Sequence, residues 1–458
     1  MSTANAWEQY LTDHEDQHLE ELKEFLRIPS VSALPDHQTD VLRAAEWVAD
    51  QLRQAGVPEV TLLPTERNPI VFGHWHVSDD QPTALIYGHY DVQPPDPLDL
   101  WESPPFEPVI RDGRIYARGA CDDKGNMFNP VKAIEALART QGRPPINVKF
   151  FIEGEEEIGS PSLPLFVRAE RERLACDFVI CADGDMFGPD DPSLTIATKG
   201  LAACQVDLRT AATDLHSGMY GASVPNAIQA LVQLAATLHT PDGRVAVEGF
   251  YDRVRDLTPE EREEIAAVPF DHEGYRQESG AAHFWGEPDY SVLERNWARP
   301  TLDLNGIWGG FQGPGTKTVT PCEAHVKITC RLVPDQEPDE ILDLIERHVI
   351  EHCPPEAELT FTRFPGSARP FAVRRDHPAL QTAGAVLRDL YDKEPLIMRM
   401  GGTLPVAEIF QRELDADMIF YTWGMPGSRI HAPNEWYRLE DFRIARRAFC
   451  AYLTALAR

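Results

Sequence analysis

Over its first 200 residues the chain alternates short apolar runs with amphipathic stretches, and few folds accommodate that order. EVTLL, PIVFGHW, TALIYGH, RIYARG, NVKFFI and DFVICAD read as strands. Trp7, Tyr10, Leu11, Leu19, Leu22, Phe25 and Leu26 recur at helical spacing and predict one amphipathic helix. Further helices are expected over 40–53, 128–138 and 162–173. Strands alternating with helices imply a three-layer α/β domain with a mostly parallel sheet.

After SLTIATKG the order changes. AACQVDLRT reads as a strand and 226–239 as a helix, followed by a charged insert over about 240–300. TLDLNGIWG and HVKITCRLV are expected strands, 339–352 a helix and AELTFTRF a strand. Strand, helix, strand, strand, helix, strand is the order of a ferredoxin-like α+β unit. The α/β pattern then returns, with a helix over 380–391, the strand MIFYTW and a helix over 439–456. The reading is one domain over 1–199 and 376–458, interrupted by a second over 200–375. A length of 458 residues suits about three domains, or two large ones.

A net charge of −30 excludes nucleic acid and anionic membranes as partners, since both need cationic patches. No apolar run approaches the roughly 18 residues of a membrane span. The start, MSTANAWEQYLTDHEDQH, lacks the basic and apolar regions of a signal peptide, so a cytoplasmic protein is expected. The eight cysteines are scattered without a CxxC pair and are expected to be reduced.

The chemistry concentrates at strand ends, where open α/β sheets place ligand sites. In FFIEGEEEIGS, Glu153, Glu155, Glu156 and Glu157 follow an apolar run with no lysine or arginine among them. Solvent or a cation must neutralise them. TALIYGHYD ends on His89 and Asp91, and ARGACDDKGN carries Asp122 and Asp123. DFVICADGD carries Asp183, and MPGSRIHAPNEW carries His431. Imidazoles and carboxylates without thiolates suit zinc, manganese or cobalt, and a shared carboxylate suits two adjacent ions. The residues alone do not decide which of Glu155, Glu156 and Glu157 is base or ligand. Neighbours on an ideal strand face opposite ways, so the backbone must bend if Glu156 and Glu157 both reach the site; Gly159 can assist. Elsewhere, His348 and His352 in HVIEH lack the HExxH order and read as a solvated helix face. LTPEEREEIAA reads as a plain exposed helix.

YGHYDVQP, YARGACDDKGN, IEGEEEIGS, TDLHSGMYG, GTKTVTP, CRLVP, MGGTLP and IHAPNE, in this order over 87–435, resemble the successive motifs of the aminoacylase, carboxypeptidase G and carnosinase metallopeptidase family. The likeness is greatest to its cytosolic dipeptidase branch. It implies two divalent ions per subunit, zinc first and manganese or cobalt as alternatives. His89 and Asp183 would bind one, Glu157 and His431 the other, and Asp122 both. It implies that Asp91 orients His89, that Glu156 is the general base, and that His216 stabilises the oxyanion. The inserted domain would serve as a lid and dimerisation domain, with His216 acting across a homodimer interface. Arg331 would clamp a substrate carboxylate, with Thr318, Gly402 and Thr403 as further contacts. The branch usually has Glu where this chain has Met400, an acid suited to a substrate's free α-amine. The expected activity is amide hydrolysis of dipeptides. Deacylation of N-acyl amino acids is the alternative, and an inactive binding relative is disfavoured because ligands and base are all present. A calcium buffer is excluded by the lack of EF-hand spacing.

Overall fold

The structure, a computed structural model, describes residues 3–457. The chain forms two compact units: Met1–Ile196 with Val373–Met398 and Ile409–Arg458, and Ala197–Ala372 with Arg399–Glu408.

The large unit is built on a six-stranded sheet in the order Glu59–Leu63, Ile70–Trp75, Asn147–Glu153, Thr83–His89, Phe178–Cys181, Asp417–Phe420. The last four strands are parallel and the first two antiparallel. Asn147–Glu153 is buried at every position, as a strand covered on both faces must be. Phe151 meets Phe166 of the helix Leu163–Ala169 edge-on. Leu52 of the helix Gln38–Gln54 and Phe150 meet at Gly73, each 3.3 Å from where a β-carbon there would sit. Three layers follow.

The expected single first helix is two, Thr3–Asp13 and Glu15–Leu26. His14 interrupts them at φ −108°, its Nδ1 sharing the Tyr10 carbonyl with its own amide. The stretch 162–173 likewise divides, into Leu163–Ala169 and Arg171–Leu174. RIYARG does not join the main sheet. Arg114–Tyr116 pairs with Val109–Arg111 across a turn formed by Asp112 and Gly113, both at positive φ, and with Trp436–Arg438 on its other side. An Asp-Gly hairpin of this kind is a local signal that the apolar run had masked.

The small unit contains a four-stranded antiparallel sheet in the order Thr301–Gly309, Glu323–Leu332, Gly200–Arg209, Glu358–Arg363. The helices Ala227–Ala236 and Pro338–His352 each bury one apolar face in one core with it, giving the ferredoxin-like arrangement. His348 is buried, contrary to the solvated-face reading, with Nε2 2.8 Å from Thr237 Oγ1. It shares the helical stripe of Ile341, Leu342 and Ile345, which turns it inward. Arg399–Glu408, which chain order alone assigns to the flanking domain, joins the small unit. Lys199 N donates to Gly402 O at 2.9 Å, and Arg331 Nη1 to Thr403 Oγ1 at 2.6 Å.

In the large unit, Gly88 lets Thr83–His89 approach the helix Lys124–Gln141. A β-carbon there would lie 2.6 Å from Met127 Cβ and 2.7 Å from Asp123 Oδ2. Gly88→Ala is expected to cost about 1–3 kcal/mol through overpacking. Urea unfolding of the metal-free variant against wild type measures it.

Candidate metal centre

Each side chain of the centre sits where a strand, helix or turn of the large unit ends. His89 is fully buried at the end of Thr83–His89. Its Nδ1 lies 3.0 Å from the Asp91 carbonyl and 3.3 Å from Asp91 Oδ1. The carbonyl has the better hydrogen-bond geometry, and Asp91 Oδ1 is left buried without a hydrogen bond. Asp91 therefore orients His89 chiefly through its backbone. With the proton on Nδ1, a neutral imidazole presents its Nε2 lone pair to Asp122 Oδ1 at 3.0 Å. Two acceptors this close need a cation between them.

The same arrangement recurs beside it. Asp122 lies just before the helix Lys124–Gln141, and its Oδ2 is 2.9 Å from His431 Nε2. Glu157 Oε2 is 3.1 Å from that nitrogen, and Asp183 Oδ2 is 3.9 Å from His89 Nε2. Two triads result, His89–Asp122–Asp183 and Asp122–Glu157–His431, each with its ligand atoms within 4.8 Å of one another. Asp122 is common to both.

The acidic run is sorted by a turn. The strand ends at Glu153, buried and accepting from Tyr87 Oη at 2.9 Å. Glu155 is consumed by Thr65, the Asn68 amide and Ser162. Glu156–Ile158 then form a single 3-10 turn, closed by Gly159 at φ +82°. This is the bend that two adjacent site residues require. Glu157 N donates to Asp91 Oδ2 at 3.2 Å, and Gln93 N to Glu157 Oε1 at 3.1 Å. Gln93, within YDVQP, was not singled out from sequence. Asp123, which the sequence places beside Asp122 without a role, accepts at its buried Oδ2 from His89 N at 3.1 Å.

Charge is the test of fit. Among the described residues, no lysine or arginine pairs with Asp91, Asp122, Asp183, Glu156 or Glu157 within 4.0 Å. Burial, reinforced by Asp122 and Glu157, pushes Asp183 up to about 7 against the pull of His89. Hydrogen bonds to Asp122 and Glu157 push His431 up to about 10. Burial alone would lower His89, but Asp122 and Asp91 outweigh it and hold it well above its usual value. Five carboxylates thus face two imidazoles with no lysine or arginine paired to them among the described residues, and this donor set suits divalent metal ions.

Other expected residues gather in the small unit. His216 is exposed at the end of the ribbon Leu215–His216, opposite Val319. Its Nδ1 accepts from Gly218 N at 3.1 Å, so the neutral ring carries its proton on Nε2. Thr318, also exposed, accepts at its carbonyl from Ser217 N at 3.1 Å. Arg331 and Thr403 are hydrogen-bonded, and Gly402 is held by Lys199. Buried Arg399 pairs with Glu261 at 3.1 Å, and Glu261 is gripped by both terminal nitrogens of Arg255 at 2.7 Å. The helix Pro259–Ala267, read from LTPEEREEIAA as plainly exposed, thus sends an acid inward to the Arg399–Thr403 segment.

An α/β sheet whose strand ends gather two imidazole–carboxylate triads defines a metal-dependent hydrolase. The sequence model of Peptidase family M20/M25/M40 matches residues 85–455. The Beta-Ala-His dipeptidase of Homo sapiens is 29% identical over 475 residues, covering 98% of this chain and 92% of that protein. The Cys-Gly metallodipeptidase dug1 of Schizosaccharomyces pombe is 30% identical over 458 residues, covering 96% of each. The crystal structure of an M20 family metallo-carboxypeptidase, Sso-CP2 from Sulfolobus solfataricus, superposes with a TM-score of 0.82 at 31% identity, covering 96% of this chain and 99% of that one. The chain belongs to peptidase family M20/M25/M40 and is a metallopeptidase.

Hydrogen bonds from Arg255 hold the Glu261 carboxyl down at about 2, below its ordinary 4.5. A depressed carboxylate stabilises the fold above its unfolded pKa and loses that stabilisation as pH falls through the folded value. The small unit should weaken between pH 4.5 and about 2. Glu261→Gln should flatten that acid limb and cost on the order of 1–3 kcal/mol at neutral pH by stranding Arg399. Urea midpoints at pH 7, 5 and 3 check both.

Proposed function

We propose that the chain hydrolyses the amide bond of dipeptides, or of similar small substrates ending in a free carboxylate, with two zinc ions per subunit. His89 and Asp183 hold one ion, Glu157 and His431 the other, and Asp122 both; manganese or cobalt suits the same donors. The observation that carries this reading is Asp122, with one oxygen 3.0 Å from His89 and the other 2.9 Å from His431. Ions so placed polarise the amide carbonyl and make water easier to deprotonate.

Glu156 is the general base. Its carboxylate makes no hydrogen bond or ion pair among the described residues, which leaves it available to water. It takes a proton from the attacking water and returns it to the leaving amine nitrogen. Asp91 holds the His89 ring. His216 donates from Nε2 to the oxyanion, a contact worth about 3–4 kcal/mol, and does so from the partner subunit of a homodimer. The exposed apolar residues Leu304, Ile307 and Trp308 on the edge strand Thr301–Gly309 support self-association. Arg331, steadied by Thr403, clamps the substrate carboxylate in the bidentate manner of a guanidinium, with Thr318 and Gly402 as further contacts. The large unit carries catalysis, and the small unit, with Arg399–Glu408, acts as lid and dimerisation domain. Scattered thiols without a CxxC pair support residence in the reducing cytoplasm.

A panel of dipeptides, tripeptides and N-acyl amino acids, each with Zn, Mn and Co, tests the assignment. Metal-dependent cleavage of dipeptides is expected, and turnover that survives chelation would overturn it. Asp122→Ala should lose metal and activity together. Glu156→Gln should keep its metal while kcat falls roughly 10²–10⁴-fold. Loss of metal from Glu156→Gln would instead make Glu156 a ligand.

Met400 favours a second reading, deacylation of N-acyl amino acids. A thioether cannot pair with a substrate ammonium as a carboxylate does. Met400→Glu should raise kcat/KM for an unblocked dipeptide relative to its N-acetyl form. A strong wild-type preference for the free amine that this change leaves unaltered would place amine recognition elsewhere.

A further inference from the structure

We propose that Glu435 is a positioning residue for the metal centre. Its carboxylate straps the loop carrying Asp122 to the loop carrying His431, and sets the spacing of the two triads before any ion binds. The inference rests on the two-ion reading above.

Glu435 is completely buried, and both its oxygens are fully used. Oε1 accepts from Cys121 N at 2.9 Å and Asp122 N at 3.0 Å. Oε2 accepts from Gly119 N at 2.9 Å and Arg118 Nη1 at 2.7 Å. Its main-chain carbonyl accepts from Ala117 N at 3.2 Å. Every donor lies in the six residues ending at the shared ligand, and one is the ligand's own amide. Immediately after Glu435, Trp436–Arg438 continues as a strand against Arg114–Tyr116. The two loops are thus fastened by sheet pairing on one side and by a saturated carboxylate on the other.

The other loop needs such a hold. His431 lies at φ +58° and Asn434 at φ +63°, a left-handed region that non-glycine residues occupy only when their surroundings impose it. Asn434 is tied at both ends of its amide, accepting from Glu102 N at 2.8 Å and donating to Leu100 O at 2.9 Å. Glu435 follows directly and closes the loop. Burying a carboxylate and the nearly inaccessible Arg118 is costly unless each charge is paired and hydrogen-bonded. A neutral amide would not serve, because its NH₂ would face two of the N–H donors.

The alternative is a brace for the hairpin at 109–116 with no bearing on metal. Three measurements separate the two. In metal-free wild type, hydrogen exchange at the amides of Gly119, Cys121 and Asp122 should already be slow and change little on adding zinc. Fast exchange that zinc alone suppresses would overturn the proposal. Zinc affinity is then measured by competition with a chromophoric chelator. Glu435→Gln should bind roughly 10–100-fold more weakly at both sites, with exchange at those amides accelerated. Arg118→Lys, which keeps the charge but loses the fork, should show the same pattern to a smaller degree and stands in if Glu435→Gln does not fold. Glu287→Gln is the control for lost stability, since Glu287 is a buried carboxylate in the small unit bonded twice to Arg299. It should lower Tm and leave zinc affinity unchanged. Lower Tm with wild-type zinc affinity in the Glu435 and Arg118 variants would leave only the brace. Wild type that binds no zinc would defeat the two-ion reading itself, whereas wild type and variants binding alike would defeat only the strap.

Discussion

The large unit holds Asp91, Asp122, Asp183, Glu156 and Glu157 around two imidazoles with no lysine or arginine within ion-pairing reach among the described residues. Two like charges 4 Å apart repel by about 4 kcal/mol even at an effective dielectric constant of 20. A chain left to itself would spread them. Only a scaffold stabilised elsewhere can keep them together, and the centre therefore depends on apolar burial in the sheet beneath it. Asn147–Glu153 is buried throughout, and Thr83–His89 nearly so. His89 stands at the end of one of these strands, and the glutamate turn follows the other.

The run of glutamates shows how local geometry separates functions within one short stretch. Glu153 still belongs to the strand and meets Tyr87. Glu155 binds two backbone amides and two hydroxyls, so its charge is absorbed by structure. Only after the 3-10 turn begins do Glu156 and Glu157 swing toward the imidazoles. A helix or a continued strand would have put one of them on the wrong face.

The small unit arranges its charges differently. There cations are matched by acids: Arg255 and Arg399 share Glu261, while Arg331 is bound to a neutral hydroxyl, Thr403. Among the described residues, no acid pairs with Arg331 within 4.0 Å. His216, with Nδ1 occupied by Gly218 N, offers a single outward donor. A backbone amide two residues on sets His216, whereas a side chain 72 positions away holds Arg331.

Periodicity in the sequence was enough to determine the α/β and ferredoxin-like layers, because burial of a strand or helix face writes itself into residue spacing. It also placed His89, Asp122, Asp183 and His431 near the ends of ordered segments. It did not show that RIYARG leaves the main sheet, since an Asp-Gly hairpin and a buried strand share the same apolar run. Nor did it turn His348 inward, although the stripe of Ile341 and Ile345 was there to read. Convergence of the triads, the sorting of Glu155 from Glu156 and Glu157, and the strap of Glu435 across to Asp122 came only from tertiary structure. Their partners are scattered along the chain, 317 positions apart for the side chains of Glu435 and Arg118. Residue type states what a side chain is able to bind, but which atoms it meets depends on the packing that closes those intervals.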